Sequence, residues 1–440
     1  MTVTSTPMLL KSPRNSSHFP PGELGKPEGA AILTGQGMET ITSLKGQKHL
    51  PRWFSAAFSV LEGIQKGSLE IALPDGRVFR IEGDQPGPQA RLDVRNDALF
   101  ARVAREGELG FSEAYVEGWW DAPDLQAVFD VLLSSKQWVR RNHPAAILLR
   151  AWQWFGHWRN DNTRSQAKRN IASHYDLGNE FYGKWLDPTM TYSSAIFVEP
   201  EEDLAAAQIR KYASVCDRIG VTPDSAVLEI GCGWGGFAEY AAGTRGARIT
   251  GLTISREQFD FAQRRMFEAG LADRVDIVMR DYREERGSYD GIASIEMIEA
   301  VGEKYWPTYF GTVHDRLKPG AQATIQAITM PDELFQSYRN TTDFIQKYIF
   351  PGGMLLSPGV LNTQIAKAGL EEVGSVGFGE SYSETLRRWH TAFNAAWDEI
   401  APLGFDERFR RMWNFYLTSC AGAFHTGTTD VVQVSMRRPA

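Results

Sequence analysis

One short stretch restricts the fold of this chain more than any other. Residues 226–230 read Ala-Val-Leu-Glu-Ile and run straight into Gly231-Cys232-Gly233-Trp234-Gly235-Gly236. An apolar strand feeding a helix through a glycine-rich turn is the opening unit of a doubly wound α/β sheet. The glycines let the backbone approach a ligand closely. The following residues keep the alternation. Helices are predicted at 237–243, 256–269 and 306–317, and strands at 248–252, 275–279, 289–295 and 321–328. Residues 335–357 interrupt the pattern as a helical excursion. Strands return at 372–378 and 429–436, flanking helices at 383–400 and 406–424.

The chain before this sheet reads differently. A helix is predicted at 53–64, with Phe54, Phe58, Leu61 and Ile64 on one face. Strands at 68–73 and 78–82 are joined by Pro74-Asp75-Gly76-Arg77, which is hairpin chemistry. A strand at 90–94 and helices at 97–105 and 112–117 complete a small α+β domain. The predicted division is a disordered tail at 1–49, that domain at 50–135, a basic aromatic linker at 136–169 and a catalytic domain at 170–440. In the linker, Lys136, Arg140, Arg141, Arg150, Arg159, Arg164, Lys168 and Arg169 face a single acid, Asp161. A basic, Trp-bearing amphipathic helix suits an anionic membrane surface, and equally suits packing between two domains.

Composition narrows the class. Lys and Arg total 47 against 54 acids, a net charge of −7, so nucleic acid is not an expected partner. Cys216, Cys232 and Cys420 build neither a disulfide framework nor a metal site, which fits a reducing, cytoplasmic setting. No apolar run reaches the ~18 residues of a membrane span. Thirteen Trp and an aromatic share of 12% point to apolar grooves or a lipid interface.

The run Glu229-Ile230-Gly231-Cys232-Gly233-Trp234-Gly235 differs from a dinucleotide-binding loop, because an acid stands just before the first glycine. That carboxylate can meet an ammonium. The pattern resembles class I S-adenosylmethionine-dependent methyltransferases and implies their Rossmann-like fold. The second strand ends in Gly251-Leu252-Thr253-Ile254-Ser255, without the usual ribose-binding acid, and Gln258 follows one turn later. At the end of the third strand, Asp281 and Tyr282 suit an adenine amine and ring. Asp281 is equally a helix N-cap.

Several segments together resemble the cyclopropane-fatty-acid and mycolic-acid cyclopropane synthases. They include His174-Tyr175-Asp176-Leu177-Gly178-Asn179, Thr191-Tyr192-Ser193, the glycine loop, Glu299-Ala300-Val301-Gly302, Tyr382 and Phe415 to Phe424. The small domain is similar to the extra N-terminal domain of the phospholipid-acting branch. The resemblance implies that Thr191, Tyr192, Ser193, Gly231, Gly233, Thr253, Ile254 and Gln258 contact the cofactor; Glu229, Gly235, Asp281 and Tyr282 are added from the residues themselves. It also implies a bicarbonate ion as base, held here by Glu299, Ile328 and Tyr382, with Ser194 in the family's cysteine place and Gln326 in its histidine place. Glu296 stands where ring-forming members carry glycine. It reads as a replacement base or as a helix-start acid facing solvent.

The implied activity delivers the methyl carbon to the double bond of an unsaturated phospholipid acyl chain. A carbocation forms on that chain, and Tyr305, Trp306, Phe344 and Tyr348 are aromatic candidates to stabilise it. Ring closure is the first expectation. A methylene or methyl branch follows because of Ser194, Gln326 and Glu296. A small-molecule methyltransferase and a non-catalytic lipid-binding protein are more distant. The expected location is the cytoplasm, peripheral to the inner face of the membrane. A homodimer or a partner subunit stays open.

Overall fold

The computed structural model describes residues 40–134, 177–199 and 201–440. The tail up to residue 39, all of the basic linker at 136–169 and His174-Tyr175-Asp176 lie outside the described residues.

Seven strands form the larger sheet, in the order β11-β12-β10-β9-β6-β7-β8. These are β6 (Ala226–Ile230), β7 (Arg248–Thr253), β8 (Val275–Met279), β9 (Tyr289–Ile295), β10 (Leu317–Thr329), β11 (Glu371–Gly377) and β12 (Asp430–Arg437). β10, β9, β6, β7 and β8 run parallel, while β12 pairs antiparallel with both β10 and β11. Helices cover a parallel sheet on both sides, so its strands bury nearly every residue. β6 shows this, with Val227, Leu228, Glu229 and Ile230 all buried. Chain order reverses on the two sides of β6, and the crevice at such a point is where open α/β sheets bind ligands.

The smaller sheet has the order β1-β3-β2-β4-β5, from β1 (Thr40–Ile41), β2 (Lys66–Ala72), β3 (Val78–Glu82), β4 (Gln85–Val94) and β5 (Trp120–Asp121). One expectation needs correction here. Residues 40–49 do not belong to a disordered tail: Thr40 and Ile41 pair with Val78 and Phe79, and Arg77 donates to the carbonyls of Lys48 and His49. The two helices anticipated at 97–105 and 112–117 are present within Ala98–Val116, separated at Gly107, whose backbone (φ 61°) is not helical.

One apolar cluster runs from the small sheet into the larger domain, joining Phe54, Phe79 and Trp120 to Trp389, Trp413 and Phe415. The helix Glu407–His425 lies against Leu125–Ser134; Phe415 meets Phe129 edge-on at 5.0 Å. A Cβ at Gly422 would come 2.9 Å from the Phe129 Cβ, which accounts for a glycine in the Ala421-Gly422-Ala423 run. Arg411 closes the seam, with its guanidinium 4.0 Å from the Tyr115 ring centroid and hydrogen bonds to Tyr115, Trp120 and Asp121.

Candidate active site

A cleft opens at the carboxyl ends of β6 to β9. Thr191, Tyr192, Ser193, Glu229, Gly231, Gly233, Thr253, Ile254, Gln258, Asp281, Tyr282 and Glu296 all line it. Gly235 does not. It caps the helix Gly236–Arg245 in a left-handed conformation and packs against Ala262 and Met266. Its role is helix packing, and the expectation that it meets the cofactor is corrected. Gly236, Trp234 and Cys232 line the wall instead.

The residues present fit an S-adenosylmethionine methionyl group. Glu229 is buried, and its Oε2 has no hydrogen-bond partner. A buried, unpaired acceptor beside a glycine turn is a ready place for an ammonium. Burial pushes the Glu229 carboxyl up to about 8, opposed by the Lys211 and Arg265 charges. Thr253 donates to Gln258 Oε1 (2.9 Å), so the Gln258 amide nitrogen is oriented away from that bond. Of the two parts anticipated for Asp281, the structure shows the cap. It caps the turn Tyr282–Glu284 and accepts from Arg283 at 2.8 and 2.5 Å, while lining the cleft.

A carboxyl raised to about 8 is mostly neutral at pH 7. An ammonium drawn to Glu229 favours its ionised form, so cofactor binding at pH 7 should expel most of one proton into the buffer. The incoming α-amino group, with a pKa near 8, stays largely protonated there. Calorimetry in buffers of different ionisation enthalpy reads the proton, and Glu229→Gln should remove the buffer dependence. Buffer-independent heat in the wild type would separate Glu229 from the ammonium.

The second half of the site is built around Glu296. Its backbone is left-handed (φ 49°), which costs a side-chain-bearing residue about 1–2 kcal/mol relative to glycine. Four contacts hold it. The Glu296 N–H donates to Gln326 O (2.9 Å), and the carboxylate accepts from the Ser194 N–H (2.8 Å), Gln326 Nε2 (2.7 Å) and the Tyr382 hydroxyl (2.6 Å). This overturns the reading of Glu296 as a solvent-facing helix-start acid. Burial raises its carboxyl, against the Tyr382 hydrogen bond and the Lys211 charge.

Ser194 also departs from expectation. Its hydroxyl donates to Ala195 O (2.9 Å), and only its main-chain N–H reaches the carboxylate. Glu299 accepts from the Ile328 N–H (2.6 Å) and leaves Oε2 unpartnered; burial, then the Glu296 charge, push it up to about 8. Of the aromatic candidates, Phe344 and Tyr348 share the apolar cluster of Tyr382. Trp306 packs against Phe335 in a separate core, with Tyr305 at its margin, so these two stand apart. Tyr192, which lines the cleft, packs against Phe350, and its hydroxyl lies 2.9 Å from that of Tyr416.

Sequence reasoning missed Lys211. It is fully buried on the helix Leu204–Ile219, and its ammonium donates to Ser193 Oγ (2.6 Å). Burial draws its pKa down to about 7, opposed by Glu296, Asp187 and Glu229. Its place three residues after Gln208, whose amide donates to Ser193 O, was the available signal: two polar groups on the buried stripe of one helix.

The family profile described as mycolic acid cyclopropane synthetase matches residues 162–434. The chain belongs to that family. As a member it is an S-adenosylmethionine-dependent methyltransferase with the class I fold. It is 41% identical over 360 residues to the tuberculostearic acid methyltransferase UfaA1 of Mycobacterium tuberculosis, covering 78% of this chain and 82% of that one. It is 35% identical over 385 residues to the cyclopropane-fatty-acyl-phospholipid synthase of Escherichia coli K12, covering 84% and 96%. Among solved structures, the mycolic acid cyclopropane synthase CmaA1 complexed with SAH and CTAB is 27% identical, with a TM-score of 0.58 over 61% of this chain and 98% of that chain.

Proposed function

We propose that this family member transfers the methyl carbon of S-adenosylmethionine to the double bond of an unsaturated acyl chain in a membrane phospholipid, and that Glu296 takes the proton lost afterwards. The observation that carries this reading is the carboxylate of Glu296 held among Ser194 N, Gln326 Nε2 and the Tyr382 hydroxyl. Those are the neighbours the family resemblance assigns to bicarbonate, so the side chain stands in the ion's place.

When bound, S-adenosylmethionine supplies an electrophilic methyl carbon to the alkene. The protein's residues handle the rest. Tyr192, Phe350, Tyr382 and Tyr416 keep water from the carbocation on the acyl chain and present aromatic faces to it. Glu296, ionised, accepts a proton from the added carbon. The electron pair of the broken C–H bond then forms either the double bond of a methylene branch, once a hydride shift has moved the cation to the methylated carbon, or the last bond of a cyclopropane ring.

The branched product is the first reading, because the anion place is taken by a side chain and a relative named as a methyltransferase, not a cyclopropane synthase, is 41% identical. Ring closure is the second. It is supported by the retained Glu299, Ile328 and Tyr382 and by the likeness to the E. coli synthase over 84% of this chain. The basic run at 136–169 and the 13 Trp support work at an anionic surface from the cytoplasmic side. No helix among the described residues is long and apolar enough to cross a membrane.

The test is incubation with vesicles of defined monounsaturated phospholipids. A one-carbon mass gain with exomethylene protons in the NMR spectrum is expected, and cyclopropyl protons would establish the ring. Turnover on anionic vesicles should fall with salt, since charges are screened beyond ~8 Å at 0.15 M. No lipid product at all would remove the assignment.

A further inference from the structure

Behind Glu296 lies a chain of hydrogen bonds that runs through the core in one direction. Arg218 Nε donates to Ser214 Oγ (3.4 Å), and Ser214 Oγ to Gln433 Oε1 (2.6 Å). Gln433 Nε2 donates to Gln326 Oε1 (3.0 Å), and Gln326 Nε2 to Glu296 Oε1 (2.7 Å). Gln326 and Gln433 are fully buried and directly opposed across the β10–β12 ladder. Both ends are fixed by chemistry. A guanidinium has donors only, and an ionised carboxylate accepts only. An amide or hydroxyl between them has one consistent orientation.

We infer that Gln433, backed by Ser214 and Arg218, is a positioning residue that locks the Gln326 amide with its NH2 towards Glu296. The inference rests on Glu296 being the base. Its consequence follows from what a protonated Glu296 would need. A carboxylic acid has a proton to donate, and of the described groups bonded at Oε1, the Ser194 N–H has no acceptor to offer while the Gln326 amide could turn its carbonyl towards the acid. Gln433 already occupies that carbonyl. The amide therefore cannot turn over without abandoning Gln433, and the protonated acid is left without that partner. The relay thus favours the ionised, proton-accepting form. Neither glutamine is among the residues that line the cleft, and Glu296, which does line it, accepts directly from Gln326.

The charged and titratable groups that face Glu296 are Lys211 from the helix Leu204–Ile219, Glu299 from the turn Ile298–Ala300 and Tyr382 from the helix Gly379–Ala395. All three remain in the variants proposed. Gln433→Met keeps the length of the side chain and removes its donor. The Gln326 carbonyl is then free to accept from protonated Glu296. The acid limb of the kcat/KM profile should move up by about one pH unit, a tenfold loss on that limb, with the plateau kept. Ser214→Ala, at a half-buried position, should move it the same way by less.

A merely structural defect lowers kcat/KM by the same factor at every pH and leaves the limb where it was. Glu296→Gln, assayed alongside, separates the two readings. If it retains full activity, the base assignment fails and the relay fails with it. If it is inactive while the limb stays unmoved in folded Gln433→Met and Ser214→Ala, the relay alone is overturned.

Discussion

Glu296→Gln should slow turnover by about 10²–10⁴-fold, the usual weight of a general base, with cofactor affinity little changed. The substitution is conservative for the structure. Glutamine keeps an oxygen for the Ser194 and Gln326 donors, and the Tyr382 hydroxyl can rotate its hydrogen away from an incoming amide. What is lost is the ability to accept a proton. The rate should also ignore added bicarbonate. Glu296→Gly is the informative partner. At φ 49° glycine relieves backbone strain, so the loop should hold, and the three donors would again face an open space. Bicarbonate should then restore part of the rate. Steady-state assays in carbonate-depleted and bicarbonate-supplemented buffer measure both. A fully active Glu296→Gln enzyme that depends on bicarbonate would return the chain to the ion-based mechanism that the resemblance implies.

The same region shows what could be read from the chain and what could not. The parallel strands were legible because burial on both faces leaves an apolar run that needs no context: β6, β8 and β9 stand where the sequence places them. The helix Leu204–Ile219 was not anticipated. Its buried stripe includes Gln208, Lys211 and Tyr212, so the apolar period that reveals most helices is broken by the groups that hold Ser193. Local pattern singled out Glu229, an acid standing directly before the glycine turn, while Glu299 was named through the family resemblance. It also flagged Glu296 and Gln326 as departures from the family pattern. It could not find Gln433 or Ser214. Their meaning arises only when β12 lies beside β10 and the helix Leu204–Ile219 packs against them, across separations of 107 and 219 residues. Ser194 was named for its hydroxyl but serves through its main chain, which no side-chain inventory reveals.

Gly233→Val should abolish detectable S-adenosylmethionine binding, weakening it by about 100-fold or more, close to 3 kcal/mol, with the fold retained. Gly233 has φ 52°, lines the cleft, and has no atom within 4 Å of where a Cβ would stand. A side chain there meets no protein atom at its root, and it grows from the wall the cofactor must approach. The left-handed conformation adds about 1–2 kcal/mol of strain for a residue with a Cβ, so a small fall in melting temperature accompanies the loss of binding. Neighbouring glycines would answer less clearly. A Cβ at Gly236 would lie 2.3 Å from the Tyr212 hydroxyl, and one at Gly231 2.7 Å from Met297 Cγ, so those variants displace the wall itself. Gly233→Ala carries the same strain with less bulk and should bind more weakly than the wild type but better than the valine variant. Calorimetric titration gives the affinities, and circular dichroism with thermal melting reports the fold. Unchanged affinity in a folded Gly233→Val protein would remove the glycine turn from the cofactor site, and with it the pairing of Glu229 to an ammonium.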